Sequence, residues 1–224
     1  MRDRALLKEA IKKIAAGIVI VWALLFIPAG SIRWSNAWLL MGLLFIPVFI
    51  AGIIMYYKAP DLLRNRLKAK ESREEQKGVI RYSGLMFVAA FVVAGLNYRF
   101  RWIFLPDAVV IIASVLFILS YAIFGEVLRE NAWLSRTIEV QEDQTVVDTG
   151  LYGIVRHPMY SATVIMFLSM PLILNSLISF VIMLLYIPII VMRILDEEMV
   201  LKDELKGYRE YMEKVRYRLL PLIW

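Results

Sequence analysis

Apolar residues run unbroken over lengths that suit helices in lipid, at 14–30, 37–57, 82–98, 107–127, 160–174 and 176–193. A spanning helix needs about 20 apolar residues, within a range near 17–25. The second and fourth runs reach that length, and the first and third sit at its lower end. The last two are short and are parted only by a break around Asn175 and Ser176. They predict a helical hairpin packed on protein as much as on lipid. No run alternates apolar with polar positions as a membrane barrel strand does, so every crossing is expected to be helical. Three polar stretches remain. Residues 58–81 set Leu62, Leu63 and Leu67 at helical spacing among charges, which predicts an interfacial amphipathic helix followed by a polar turn. Residues 128–159 read as a polar connector. Residues 194–224 open on Asp196, Glu197 and Glu198 and continue with Leu201, Leu205, Tyr208, Met212 and Val215. That spacing predicts one helix with a single apolar stripe, ended by Pro221. The fold class is therefore all-α, a polytopic membrane bundle of about six transmembrane helices.

Charge gives the bundle a direction. Of 26 Lys and Arg, only Arg33, Arg99 and Arg101 fall on one side of the predicted crossings. The rest lie in the N-terminal arm, the 58–81 loop, the 128–159 connector and the C-terminal segment. The positive-inside rule then expects both termini to be cytoplasmic, with an even number of crossings in the cell membrane. The first run is too long for a signal-peptide core and reads as a retained anchor. Trp22, Trp34, Trp38 and Trp102 fall near predicted boundaries or within runs, as an aromatic belt would place them.

Composition narrows the function classes. Hydrophobic residues make up 60% of the 224 and the mean hydropathy is +0.65. One soluble core of this size cannot hide that much apolar surface. No cysteine is present, which excludes disulfides, thiolate nucleophiles and Cys-ligated zinc or iron–sulfur clusters. His157 is the single histidine, so no metal site is expected. The net charge of +6 belongs to topology rather than to nucleic acid.

Chemistry-bearing residues collect in the last third. Gly150, Tyr152, Arg156, His157, Pro158 and Tyr160 precede the fifth run, and Arg193, Glu197 and Glu198 follow the sixth. A short hairpin returns its two ends to the same level, within about 10 Å, one helix diameter. Charges at a bilayer edge are costly unless paired or serving a ligand. Each residue has a plain alternative: a Pro-led helix start, a snorkelling cation, a helix-end carboxylate. Together they predict a pocket at the membrane surface lined by guanidinium, imidazole, phenol and carboxylate. Glu126 and Arg129, at a run end, read as an ordinary surface pair.

These residues resemble a family pattern. The run G-x-Y-x-x-x-R-H-P-x-Y at 150–160, then Arg193 with Glu197 and Glu198, then Tyr208, Tyr211, Val215, Arg218, Leu219 and Pro221, is similar to the isoprenylcysteine carboxyl methyltransferase family. That family sits in a wider group of integral-membrane methyltransferases that includes phospholipid methyltransferases. The likeness runs over roughly 139–224. Where the family commonly has glycine after the motif tyrosine, this chain has Ser161 and Ala162, both small. The resemblance implies S-adenosylmethionine as cofactor, with 128–224 as the catalytic region and 1–127 as a four-span scaffold. It further implies a cofactor site at Val147, Thr149, Gly150, Tyr152, Arg156, His157, Pro158, Tyr160, Glu197 and Glu198, with backbone groups near Val146 around the adenine. Either glutamate suits the cofactor's ammonium, and Arg156 or His157 its carboxylate. Arg193 and Arg218 would hold an anionic substrate head. A neutral amine or thiol acceptor would need a base, His157 or a glutamate. The partners expected are a lipophilic acceptor entering from the bilayer and membrane lipids, with no nucleic acid. Membrane sterol-type reductases that use NADPH share a His-Pro-x-Tyr run and a similar tail, and a non-catalytic scaffold is the third reading. The 2′-phosphate of NADPH calls for extra cations, whereas a glutamate pair suits an ammonium.

Overall fold

In a computed structural model of the chain, residues 4–67, 74–131, 133–134 and 140–224 are described. Arg2, residues 68–73 of the charged 58–81 loop and Arg136 lie outside them. Every regular element among the described residues is helical. Helices α1 (Arg4–Ala29) and α2 (Ser35–Lys58) run antiparallel, and a short α3 (Pro60–Leu67) follows. Then come α4 (Glu74–Phe100) and α5 (Asp107–Glu130), the connector with a 3-10 turn at Gly150–Gly153, α6 (Pro158–Ile173), α7 (Leu177–Met183), α8 (Tyr186–Glu204) and α9 (Tyr208–Lys214). Five passes are long and apolar enough to cross a membrane: α1, α2, α4, α5, and α7 with α8 as one 28-residue unit. The apolar α6 is shorter, at 16 residues, and makes the sixth pass.

Small residues let these helices close on one another. At Gly95 of α4, a Cβ would fall 2.7 Å from the Leu25 carbonyl oxygen of α1, so only glycine permits that approach. The main core gathers Leu25, Leu40, Ala94, Phe117, Met170 and Ile173 from five passes. Trp34, expected in the interfacial belt, belongs to this core instead and stacks on Tyr98. At the end away from the connector, Asn97 is 1% exposed and donates to the Ile103 and Asn175 carbonyls at 2.9 and 3.2 Å. Asn175 itself sits at φ 59° and turns the chain from α6 into α7.

Several boundaries differ from the sequence expectation, each for a physical reason. Helix α1 starts well before residue 14, because Leu6 and Ala10 bury against Leu63 of α3 and reward helix there. Residues 74–81 are the first turns of α4 rather than part of a turn. The sixth run breaks at Leu184–Leu185. Pro188 has no N–H to give the Leu184 carbonyl, which accepts from Ile187 at 3.0 Å instead. The largest correction concerns 194–224, expected as one helix reaching Pro221. Helix α8 instead continues out of the sixth pass to Glu204, Gly207 takes φ 87°, and α9 ends at Lys214. The stripe survives the break: Leu205, Tyr208, Tyr211 and Val215 form one small core with Val140 and Val146 of the connector.

Candidate functional site

The connector has no regular structure beyond one turn, so side chains must hold it. Gly150 opens that turn at φ +53°, with the Glu130 carboxylate where a Cβ would stand. That carboxylate accepts from the Leu151 N–H at 3.0 Å, so a side chain at 150 would break the contact that ties connector to α5. Tyr152 receives a hydrogen bond from Asn131 at 3.0 Å through its hydroxyl, and its carbonyl accepts from the Tyr211 hydroxyl at 2.7 Å. Lys214 of α9 donates to Asp148 at 2.6 Å and holds that carboxyl below its usual range. The connector is thus strapped to α5 at one side and to α9 at the other.

Arg156 and His157 are fixed twice. Their main-chain N–H groups donate to the carbonyls of Tyr217 and Arg218 at 2.8 and 2.9 Å. Pro158 then starts α6, where a missing N–H costs nothing. Ser161 donates to the Leu219 carbonyl at 2.6 Å, and Ala162 is fully buried, so the small residues at these positions let 215–219 lie against α6.

One buried carboxylate organises the cations. Glu198 is 1% exposed. Its Oε1 accepts from Arg156 Nε at 2.7 Å and lies 3.3 Å from His157 Nε2, and its Oε2 accepts from Arg218 Nε at 3.0 Å. Arg156 spends another nitrogen on the Val215 and Arg216 carbonyls, at 2.7 and 2.8 Å. Arg218 also lies over the Trp224 ring, 5.0 Å from its centre.

A second chain of contacts faces open space. The Tyr160 hydroxyl donates to Glu197 at 2.5 Å and accepts from Arg193 Nε at 3.0 Å. Arg193 and Glu197, four apart on α8, are thereby set by one phenol on α6. The His157 ring stacks on Tyr160 with centres 5.7 Å apart, and its Nδ1 lies 3.9 Å from Glu197. The hairpin ends do meet, through hydrogen bonds rather than across a gap.

Above this row opens a cleft of about 860 Å³, counted with the open space at its mouth. Arg193, Glu197, Tyr160, His157, Arg156, Tyr152 and Val147 line it, and all seven are sequence-expected site residues. Thr149, Gly150, Pro158, Glu198 and Arg218 do not line it; they stand behind the wall. Sequence reasoning missed Asn131, Trp133, Gln144, Tyr208 and Tyr211, which line it as well. Tyr208 was legible as part of an apolar stripe, and both tyrosines as members of the C-terminal family pattern, but neither as a wall of the site. Tyr208 is 4% exposed, and its hydroxyl is the sole buried side-chain polar atom among the described residues without a hydrogen-bond partner. Burial pushes its phenol well up, so it stays a neutral donor beside the cavity. The Tyr211 phenol is raised for the same reason. The wall thus offers one carboxylate, the Arg193 guanidinium beside that of Arg156 (already paired with Glu198), neutral phenols and an imidazole over a floor of Val146, Leu201 and Leu205. It suits a ligand with a cationic and a planar apolar part. Among the described residues, no group of three or more His, Asp or Glu gathers as a metal would require.

Residues 102–206 match the phospholipid methyltransferase family. The matched stretch contains α5, the connector, α6, α7 and α8, and so all of the cavity wall except α9. No curated protein matches the chain.

Proposed function

We propose that the chain is a membrane methyltransferase of the phospholipid methyltransferase family, which residues 102–206 match, and that its cavity binds S-adenosylmethionine and methylates a lipophilic acceptor. The observation that carries this reading is the pairing of Glu197 with Arg193 on the cavity wall, set by Tyr160. The donor set fits the cofactor. Glu197 supplies a carboxylate for an ammonium, the unpartnered Tyr208 hydroxyl a donor, and Val146, Leu201 and Leu205 a surface for a flat ring. A nicotinamide dinucleotide phosphate is a poorer fit, because Arg156 and Arg218 are already committed to Glu198.

The bound cofactor supplies a methyl group on a positively charged sulfur, open to displacement by an acceptor's lone pair. The protein's share is alignment and exclusion of water. Arg193 holds an acceptor's anionic head at the cavity edge. A carboxylate acceptor needs no base. For an amine or thiol, His157 is placed to take the proton: with Nε2–H given to Glu198, Nδ1 carries the lone pair on the side of Glu197. The acceptor enters from the bilayer beside α6 and α8, whose apolar faces flank the cavity.

Calorimetric titration of the detergent-purified protein with S-adenosylhomocysteine, with NADPH in parallel, tests the assignment. Saturable heat with the first alone is expected. Binding of NADPH alone overturns it in favour of a reductase, and binding of neither by folded protein in favour of a scaffold. We also place the pocket and both termini on the cytoplasmic side, since all but three of the 26 Lys and Arg lie there. The chain has no cysteine, so a single Glu210→Cys can be probed cleanly. It should resist a membrane-impermeant thiol reagent in intact cells and react once the cells are opened. Labelling in intact cells overturns the orientation.

A further inference from the structure

The pocket-bearing end of the bundle has a second cavity, which shares no lining residue with the first. Helices α1 and α2 part there, and α3 closes the gap. The groove, counted with the open space at its mouth, is about 550 Å³ and is walled by Leu7, Ile11 and Ile14 of α1 and by Phe49, Gly52 and Tyr56 of α2. Gly52 leaves the space: a Cβ there would meet only the tip of Ile14, at 3.8 Å. The α1 wall from Leu7 to Ile14 is about 10 Å long, enough for part of one acyl chain.

An apolar groove in a bilayer does not by itself select its occupant, because lipid tails are as apolar as leucine. Selection has to come from the rim. Arg4, Lys8 and Lys12 recur every four residues, so they form one row on α1, on the flank next to Leu7 and Ile11. All three are exposed, and none has an ion-pair partner among the described residues. The nearby acids among the described residues are taken: Glu9 pairs with Lys13 at 2.8 Å and Asp61 with Arg64 at 3.3 Å. Like charges four apart on a helix repel and weaken it. The positive-inside rule explains cations at this end, but not three in register beside an open groove. A negatively charged group at the rim removes the repulsion, and the N-terminal turn of α1 favours it further.

We propose that this groove holds one acyl chain of an anionic phospholipid, whose headgroup is bound by Arg4, Lys8 and Lys12. The site is independent of the methyltransferase reading. Juxtamembrane cations each contribute roughly 1 kcal/mol toward anionic lipid, so at least about tenfold selectivity over a zwitterionic lipid is expected.

Native mass spectrometry of the full chain from micelles with equimolar dioleoylphosphatidylglycerol and dioleoylphosphatidylcholine tests this. The expected spectrum shows the anionic lipid retained at least about tenfold over the zwitterionic one. The Lys8→Gln/Lys12→Gln variant should lose most of that preference, and Gly52→Leu should lose the adduct by filling the groove. Equal retention of both lipids overturns the proposal, as does a preference that survives the double glutamine variant. If Gly52→Leu folds and still keeps the lipid, the groove is not its seat. If soluble glycerol 3-phosphate binds as well as the lipid, an anion site without an acyl groove replaces the proposal. If Gly52→Leu fails to fold, the exposed lysine pair still decides.

Discussion

Glu198→Ala is expected to unfold the pocket end of the molecule, with a loss of about 3–5 kcal/mol. The figure follows from what the carboxylate holds rather than from any contact with ligand. Glu198 is buried behind the cavity wall and is met by Arg156, His157 and Arg218 from three segments. Two guanidiniums left without their anion stay in a site with little water. Arg156 also carries the Val215 and Arg216 carbonyls, so its release frees the segment after α9. Glu198→Gln keeps the volume and should lose somewhat less. The measurement is the melting temperature in detergent, with S-adenosylhomocysteine titrated alongside. Both variants should melt several degrees early and bind weakly. Adding Arg218→Ala to Glu198→Ala should restore part of the loss, since it removes one stranded cation. Parent-like melting of Glu198→Ala would show that the three cations do not depend on it.

That residue also marks how far the sequence could be read. The passes were legible because the bilayer imposes a run length, and α2 and α5 begin and end within a few residues of their apolar runs. The sites of Arg156, His157, Tyr160, Arg193 and Glu197 were legible because a hairpin must bring its ends together. The division of labour between Glu197 and Glu198 was not. Adjacent helical positions point about 100° apart. Which of them meets the cavity depends on the rotation of α8, set by packing on α4 and α6. Arg156 was a candidate for the cofactor's carboxylate and Arg218 for an acceptor's anionic head, and in the structure each is paired with Glu198. The break after Glu204 stayed hidden for another reason. A single left-handed residue at Gly207 leaves the apolar stripe in phase, and Tyr208 and Tyr211 pack on the same small core as Leu205. Periodicity therefore reads straight through the bend that puts two tyrosines on the cavity wall.

Glu197→Gln should weaken S-adenosylhomocysteine about 10–100-fold while leaving the melting temperature close to the parent's. The range corresponds to about 1.5–3 kcal/mol, the value of a charge-assisted hydrogen bond. Stability is spared because the Glu197 side chain is 25% exposed and its amide can still accept from Tyr160. Arg193→Ala should behave differently if that guanidinium holds the acceptor. Cofactor affinity should fall little, while methyl transfer to a lipophilic acceptor falls by two orders of magnitude or more, in the range of a lost positioning contact. Tyr160→Phe couples the two effects. It removes the one hydroxyl that joins Glu197 to Arg193, so the link between the two side chains is lost and both readouts should drop together. Binding of S-adenosylhomocysteine by Glu197→Gln as tight as the parent's would take the ammonium away from Glu197. The cofactor would then have to be held by the phenols and backbone of the connector, and the row on α8 would belong to the acceptor alone.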